Sequence, residues 1–375
     1  MSTTALSYTP SFEAMSEGKW IYNRKWDLAF ISLSVLLVPL PYITWLLMRD
    51  VFQVQSETGR QAVNLLIAAM IGGPHMYATF TRTALDIDFR EKYAGFVRSS
   101  VIIPLLVIVL ALTNLTLLLT IFFFWASIHV LHQIVFVVEA YNQKANHAPR
   151  KTSLSLRSKI IDYAVVLTSL YPLASYRIAI TQDFAIGPSN LNDVIPSIFE
   201  QPWVVYAAGL AFGVSLFAFI IKTVMEVREG TAHMPKIIFI SLTVIASFIV
   251  PSLGNLDTAF QGMNVWHSFQ SLALTWYINR LRSDRGEMKR TPFIKKMSED
   301  GKARAFYGFN LALTFGAVII IGIVFLILHY VVGGAKWADA GFALETSYYI
   351  GVLSFLWVHY YHDHFLFTQS GSVLP

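Results

Sequence analysis

From Val101 to Tyr141 the chain runs for 41 residues with one formally charged side chain, Glu139. As a single helix this run would be about 60 Å long at ~1.5 Å per residue, twice the ~30 Å hydrocarbon thickness of a bilayer. It must therefore fold back on itself, and the turn is placed near Asn114. By the same length rule the sequence predicts ten apolar spans, at 27–49, 60–82, 99–113, 115–140, 159–182, 202–226, 234–251, 258–279, 305–331 and 342–367. The expected fold class is an all-α, polytopic membrane helix bundle with a cytoplasmic N-terminus. Residues 1–26 read as a cytoplasmic tail, 27–367 as a single transmembrane domain and 368–375 as a cytoplasmic C-terminal tail. The first 26 residues lack the short apolar core and small-residue cleavage site of a signal peptide.

The charges lead to the same arrangement. Only 14% of the residues are charged and 55% are hydrophobic, whereas a soluble protein is roughly 25% charged. So few charges cannot clothe a water-facing surface. With the N-terminus inside, 24 of the 28 Lys and Arg residues fall on the inner face, and Arg49, Arg60, Arg177 and Lys336 remain outside. That asymmetry is what retention in an inner or plasma membrane requires. The net charge of +5 then reflects topology and attraction to anionic lipid, and no nucleic-acid partner is expected. The absence of cysteine excludes disulfides, thiolate-held metals and a cysteine nucleophile. No phosphate-cradling glycine pattern, dinucleotide motif or Gly-x-Ser-x-Gly elbow is present.

Seven of the ten histidines fall inside the expected spans: His75, His129, His132, His267, His359, His362 and His364. They come from four non-consecutive helices, all running from outside to inside. All lie about 5–18 Å before the inner helix end, taking ~1.5 Å per residue. Ionisable side chains inside a bilayer are costly and usually face the bundle interior to serve function. His129 and His132 share a helix face at i, i+3, with Glu139 further along the stripe, and His359 and His362 repeat the spacing. His364 is rotated about 200° from His362 in an ideal helix and joins the same site only if the helix end distorts. His75 follows Gly72, Gly73 and Pro74, a kink that can turn the imidazole inward or merely permit close helix packing.

Neutral imidazole is the common nitrogen ligand of iron, copper and zinc, and a cluster of imidazoles near carboxylates suits redox-active iron. Gln133, Glu139, Gln270 and Asp363 are the residues expected to fix imidazole tautomers around such an ion. Asp86 either reaches the site or balances nearby arginines. His147, His233 and His329 are read as unrelated. Trp125, Trp266 and Trp357 each precede a histidine by one to four residues, as packing aromatics or as the wall of a substrate pocket.

Gly73-Pro74-His75, followed by Ala84-Leu85-Asp86, resembles the proline–histidine motif of the bacterial Brp/Blh family, which cleaves β-carotene to retinal. Ser127-Ile128-His129 resembles that family's second histidine motif. The resemblance covers about 40 of the 375 residues and implies a polytopic fold in which His75 and His129 are iron ligands. His359-Tyr360-Tyr361-His362-Asp363-His364 loosely echoes the family's late paired histidines. The membrane desaturase and hydroxylase family offers a second comparison through its repeated His-x-x-His-His boxes. Here the nearest match is His129-Val130-Leu131-His132-Gln133, with glutamine in place of the last histidine.

These readings converge on a membrane oxidoreductase. One or two non-haem irons would act with dioxygen on a lipophilic small molecule (a carotenoid, another isoprenoid or a fatty acyl chain), and an electron donor would dock at the basic cytoplasmic face. A haem-b electron carrier, which needs only two axial histidines per haem, and a proton-coupled transporter with an intramembrane histidine relay are the alternatives.

Overall fold

The computed structural model describes residues 11–146, 155–186, 189–254 and 256–368; residues 1–10, His147 and 369–375 lie outside them. Among the described residues, nine helices are long and apolar enough to cross a membrane. They are α1 (Arg24–Val51), α2 (Ser56–Phe80), α3 (Ala94–Thr113), α4 (Leu115–Ala145), α5 (Leu156–Thr181), α6 (Pro202–Arg228), α7 (Met234–Ser252), α9 (Ala303–Val332) and α10 (Ala340–Thr368). The expected turn in the long apolar run is at Asn114. This residue leaves the helical region at φ −152°, ψ 83° and caps the next helix, its Oδ1 accepting from the Leu117 amide at 3.0 Å.

The expected eighth span is a helix, α8 (Leu256–Asp284), but it is not apolar enough to stand with the nine. Its position explains its composition. It packs against α1, α2 and α7 and touches α4 and α9, so protein surrounds it where others of the nine leave apolar side chains exposed. A helix enclosed by protein can carry Asn264, His267, Ser268 and Gln270, all buried or half-buried, because neighbouring groups can satisfy them. Gly262 admits α1 to this central helix: a Cβ there would fall on the Val38 carbonyl.

Part of the segment expected as a tail packs on the bundle. Met15, Lys19 and Ile21 are buried, and the Ile21 and Tyr22 amides donate to the Asp27 carboxylate at 2.8 and 3.0 Å. The only β pairing among the described residues is Ala185–Ile186 against Ser189–Asn190, between α5 and α6. For the site, the decisive junction is the meeting of α2 and α4 with α8 and α10. α10 is held there by α2, α3, α4 and α9.

Candidate metal centre

Pro74 in α2 has no N–H to give to the Met70 carbonyl, which accepts from the Tyr307 hydroxyl of α9 at 2.6 Å instead. Gly73 lies close against Thr314 of the same helix, where a Cβ would clash. The Gly-Gly-Pro sequence permits the close packing that was one of its two expected roles, seating α2 on α9, and His75 faces inward beside it. The His75 Nδ1 lies 2.6 Å from the Gly72 carbonyl and 2.8 Å from Ser268 Oγ, which itself donates to Asn264 Oδ1 at 3.0 Å. A carbonyl can only accept, so Nδ1 carries the proton and Nε2 presents a lone pair.

That lone pair faces His359 Nε2 of α10 at 3.1 Å. His359 is fixed in the same way: its Nδ1 is 2.9 Å from Thr79 Oγ1, which donates to Asp363 Oδ1 at 2.7 Å. With the threonine proton committed to the carboxylate, its oxygen accepts from Nδ1–H, and His359 also turns a bare Nε2 inward. Two further imidazoles close the group, His129 of α4 and His267 of α8, their Nε2 atoms 3.1 Å apart, and the buried His267 Nδ1 has no hydrogen-bond partner. One ligating atom from each of the four histidines lies within 4.8 Å of all the others, and the group can hold a metal ion. The four rings are between 0% and 4% exposed, so bulk water does not reach them. Asp363 Oδ2 lies beside the cluster, 3.6 Å from His359 Nε2 and 3.9 Å from His129 Nε2.

The structure brings together four of the seven histidines singled out by depth. His362 is buried but apart, its two ring nitrogens 2.8 Å from Thr83 Oγ1 and 3.3 Å from Ser100 Oγ. His132 and His364 face one another instead, Nδ1 to Nδ1 at 3.3 Å. Gln133 donates to the His267 carbonyl at 3.1 Å and to Gln270 Oε1 at 3.3 Å, while Gln270 donates to the Ile31 carbonyl at 2.6 Å. Gln133 braces the α8 backbone, Gln270 ties α8 to the α1 backbone, and neither bond orients an imidazole. Glu139 binds Asn142 and Tyr163 at 3.1 and 2.7 Å, away from the cluster. Asp86 caps the short helix Ile87–Lys92 and pairs with Arg282 at 2.6 Å. Asp363 alone among the expected carboxylates and amides reaches the ring nitrogens. Trp125 packs on Trp357 and Tyr360 at 5.2 and 5.8 Å, and Tyr360 stacks on His129 at 4.2 Å.

Thr79, Ser268 and the Gly72 carbonyl were not singled out from sequence, although the signal was present. His75 and Thr79 stand at i, i+4 on one face, and Ser268 adjoins His267. His233 shows the contrasting case outside the spans. Its Nε2 donates to the Tyr141 carbonyl at 3.0 Å and its Nδ1 accepts from the Lys236 amide at 3.3 Å. Burial, reinforced by the Lys236 and Lys19 ammonium groups, holds this imidazole well below the ordinary histidine range. No protein-family profile, curated protein or solved structure matches this chain.

Proposed function

We propose that this is a multi-pass membrane metalloenzyme in which His75, His129, His267, His359 and Asp363 hold non-haem iron. The observation that carries this reading is the pair of imidazoles His75 and His359. Each has its Nδ1 proton engaged, and the two Nε2 lone pairs meet at 3.1 Å. Two lone pairs at that separation repel unless a cation lies with them. Nitrogens about 2.1 Å from a common ion stand roughly 3.0–3.4 Å apart at square or tetrahedral angles. The 3.1 Å pairs fit that span, and the widest separation of 4.8 Å closes with modest side-chain movement. Imidazole and carboxylate donors without sulfur suit iron among the redox metals.

When bound, iron would supply the capacity to bind and activate dioxygen for oxidation of a lipophilic small molecule such as a carotenoid, another isoprenoid or a fatty acyl chain. The chain's own groups do the rest. Gly72 and Ser268 hold His75 in one tautomer, and the Thr79–Asp363 link holds His359. Burial keeps water away, so that electrostatic interactions at the centre are strong. Tyr360, Trp125 and Trp357 offer an apolar wall beside His129 along which a flat or extended hydrocarbon can lie. A haem is disfavoured because four imidazole nitrogens within 4.8 Å leave no slot for a macrocycle.

Elemental analysis and an optical spectrum of the detergent-purified protein test this reading. Near-stoichiometric iron without a Soret band is expected, and His129→Ala should lose both the iron and oxygen-dependent turnover. Full iron content in that variant would remove the proposal.

A further inference from the structure

Beside the four-histidine cluster the same two helices build a second, open pair. His132 follows His129 on α4 by three residues, and His364 follows Asp363 on α10. His132 is half-buried and His364 exposed, and their Nδ1 atoms face each other at 3.3 Å. That separation matches two nitrogens about 2.1 Å from a tetrahedral cation, which stand roughly 3.4 Å apart. His364 lies four residues from the end of α10, or about 6 Å at ~1.5 Å per residue.

Phe367 packs against both the open pair and the closed cluster. Its centroid is 5.2 Å from that of His132 and 6.0 Å from that of His129, and it is braced by Phe136 at 5.0 Å. Exposure falls from His364, which is exposed, through the half-buried His132 to Phe367 and His129, which are buried. We propose that His132 and His364 are the port through which the cation enters, and that Phe367 is the gate to the buried cluster. The inference rests on the metal-binding reading above. An exposed pair of nitrogens can capture an ion that still holds water. Four nitrogens and a carboxylate then take it more tightly, so transfer inward is downhill. A phenyl ring can swing about its side-chain torsions without unwinding either helix, which allows passage and then re-seals the centre.

Metal-stripped full-length protein in detergent is mixed with Co(II) alone. Loading is followed by the visible absorption of bound cobalt, final stoichiometry by elemental analysis, and release by added EDTA. The exposed His364→Ala should load about tenfold or more slowly, the effect of ~1.4 kcal/mol on the barrier, yet reach the wild-type stoichiometry. Phe367→Leu, which keeps the core filled, should both load and release faster than wild type. Wild-type rates in His364→Ala and Phe367→Leu, with normal stoichiometry, would overturn the port and leave the buried centre standing. A wild-type protein that takes up no cobalt, zinc or iron at any time would overturn the centre itself, and the port with it.

Discussion

Two polar clusters are buried in this apolar bundle, and they are built on opposite plans. Among α5, α6 and α7, Asp162 pairs with Lys222 and with Lys236 (2.8 Å), and Lys222 lies 3.8 Å from Glu226. Ser158 donates to Glu226 at 2.8 Å and Lys236 to Asn142 at 2.9 Å. Two ammonium groups meet two carboxylates, and the cluster neutralises itself. Among α2, α4, α8 and α10 four imidazoles gather, with the Nε2 lone pairs of His75 and His359 turned toward each other and a single carboxylate at the edge. The first cluster is complete within the chain, as buried charges must be to persist. The second leaves the inward-facing nitrogens of His75 and His359 with only each other and the edge of Asp363, an arrangement that could hold a cation. Burial of polar groups alone therefore says little about function; whether their bonding capacity is used up locally says more.

The largest expected effect comes from removing a member of the incomplete cluster. His359→Ala should abolish metal binding, and the cavity left by this fully buried ring should lower the stability of the metal-free protein, less any relief from removing one of two opposed lone pairs. Thermal scans with and without iron check both halves. In the self-sufficient cluster the outcome for metal inverts. Asp162→Asn leaves two buried ammonium groups against one carboxylate and should cost about 3–5 kcal/mol of stability, with metal content unchanged per folded chain. Equal metal loss in the two variants would erase the contrast between the two clusters.

Thr79→Val sharpens it further. The methyl fills the space of the hydroxyl but frees the Nδ1 of His359 and the Asp363 carboxylate together, and metal affinity should fall about 10–100-fold in competition with a chelator. The smallest effect belongs to His233. Its folded form stays neutral where the unfolded chain, near the ordinary 6.5, takes up a proton. The stability it confers is present above that pH and declines by up to about 1.4 kcal/mol per pH unit below it. His233→Asn, which can still cap α7, should flatten that acid limb; an unchanged limb would assign it to other groups.

Much of this was legible along the chain because it depends on local periodicity. The apolar run from Val101 had to break, and Asn114, a residue able to leave the helical region and cap the next helix, is where it breaks. The layer of histidines was legible too, since depth along a helix is rise per residue times position. Two things were hidden. The polar face of α8 gave no warning that this helix would be wrapped by its neighbours. The charges of Asp162, Lys222, Glu226 and Lys236, each inside or beside an apolar span, were the unread sign of a second buried cluster.

What the sequence by itself determined is the set of long helices and the common level at which histidines sit, because both follow from length and spacing. Which histidines meet was decided by tertiary packing alone. His359 and His362 are about 60° apart around α10, enough for one to face His75 and the other Thr83 and Ser100. His132, one turn from His129, is likewise turned away to His364. The rotation of each helix about its axis is set by close contacts elsewhere, such as Gly73 on Thr314 and Gly262 on the Val38 carbonyl. Those contacts join residues far apart in the chain, and no local pattern announces them.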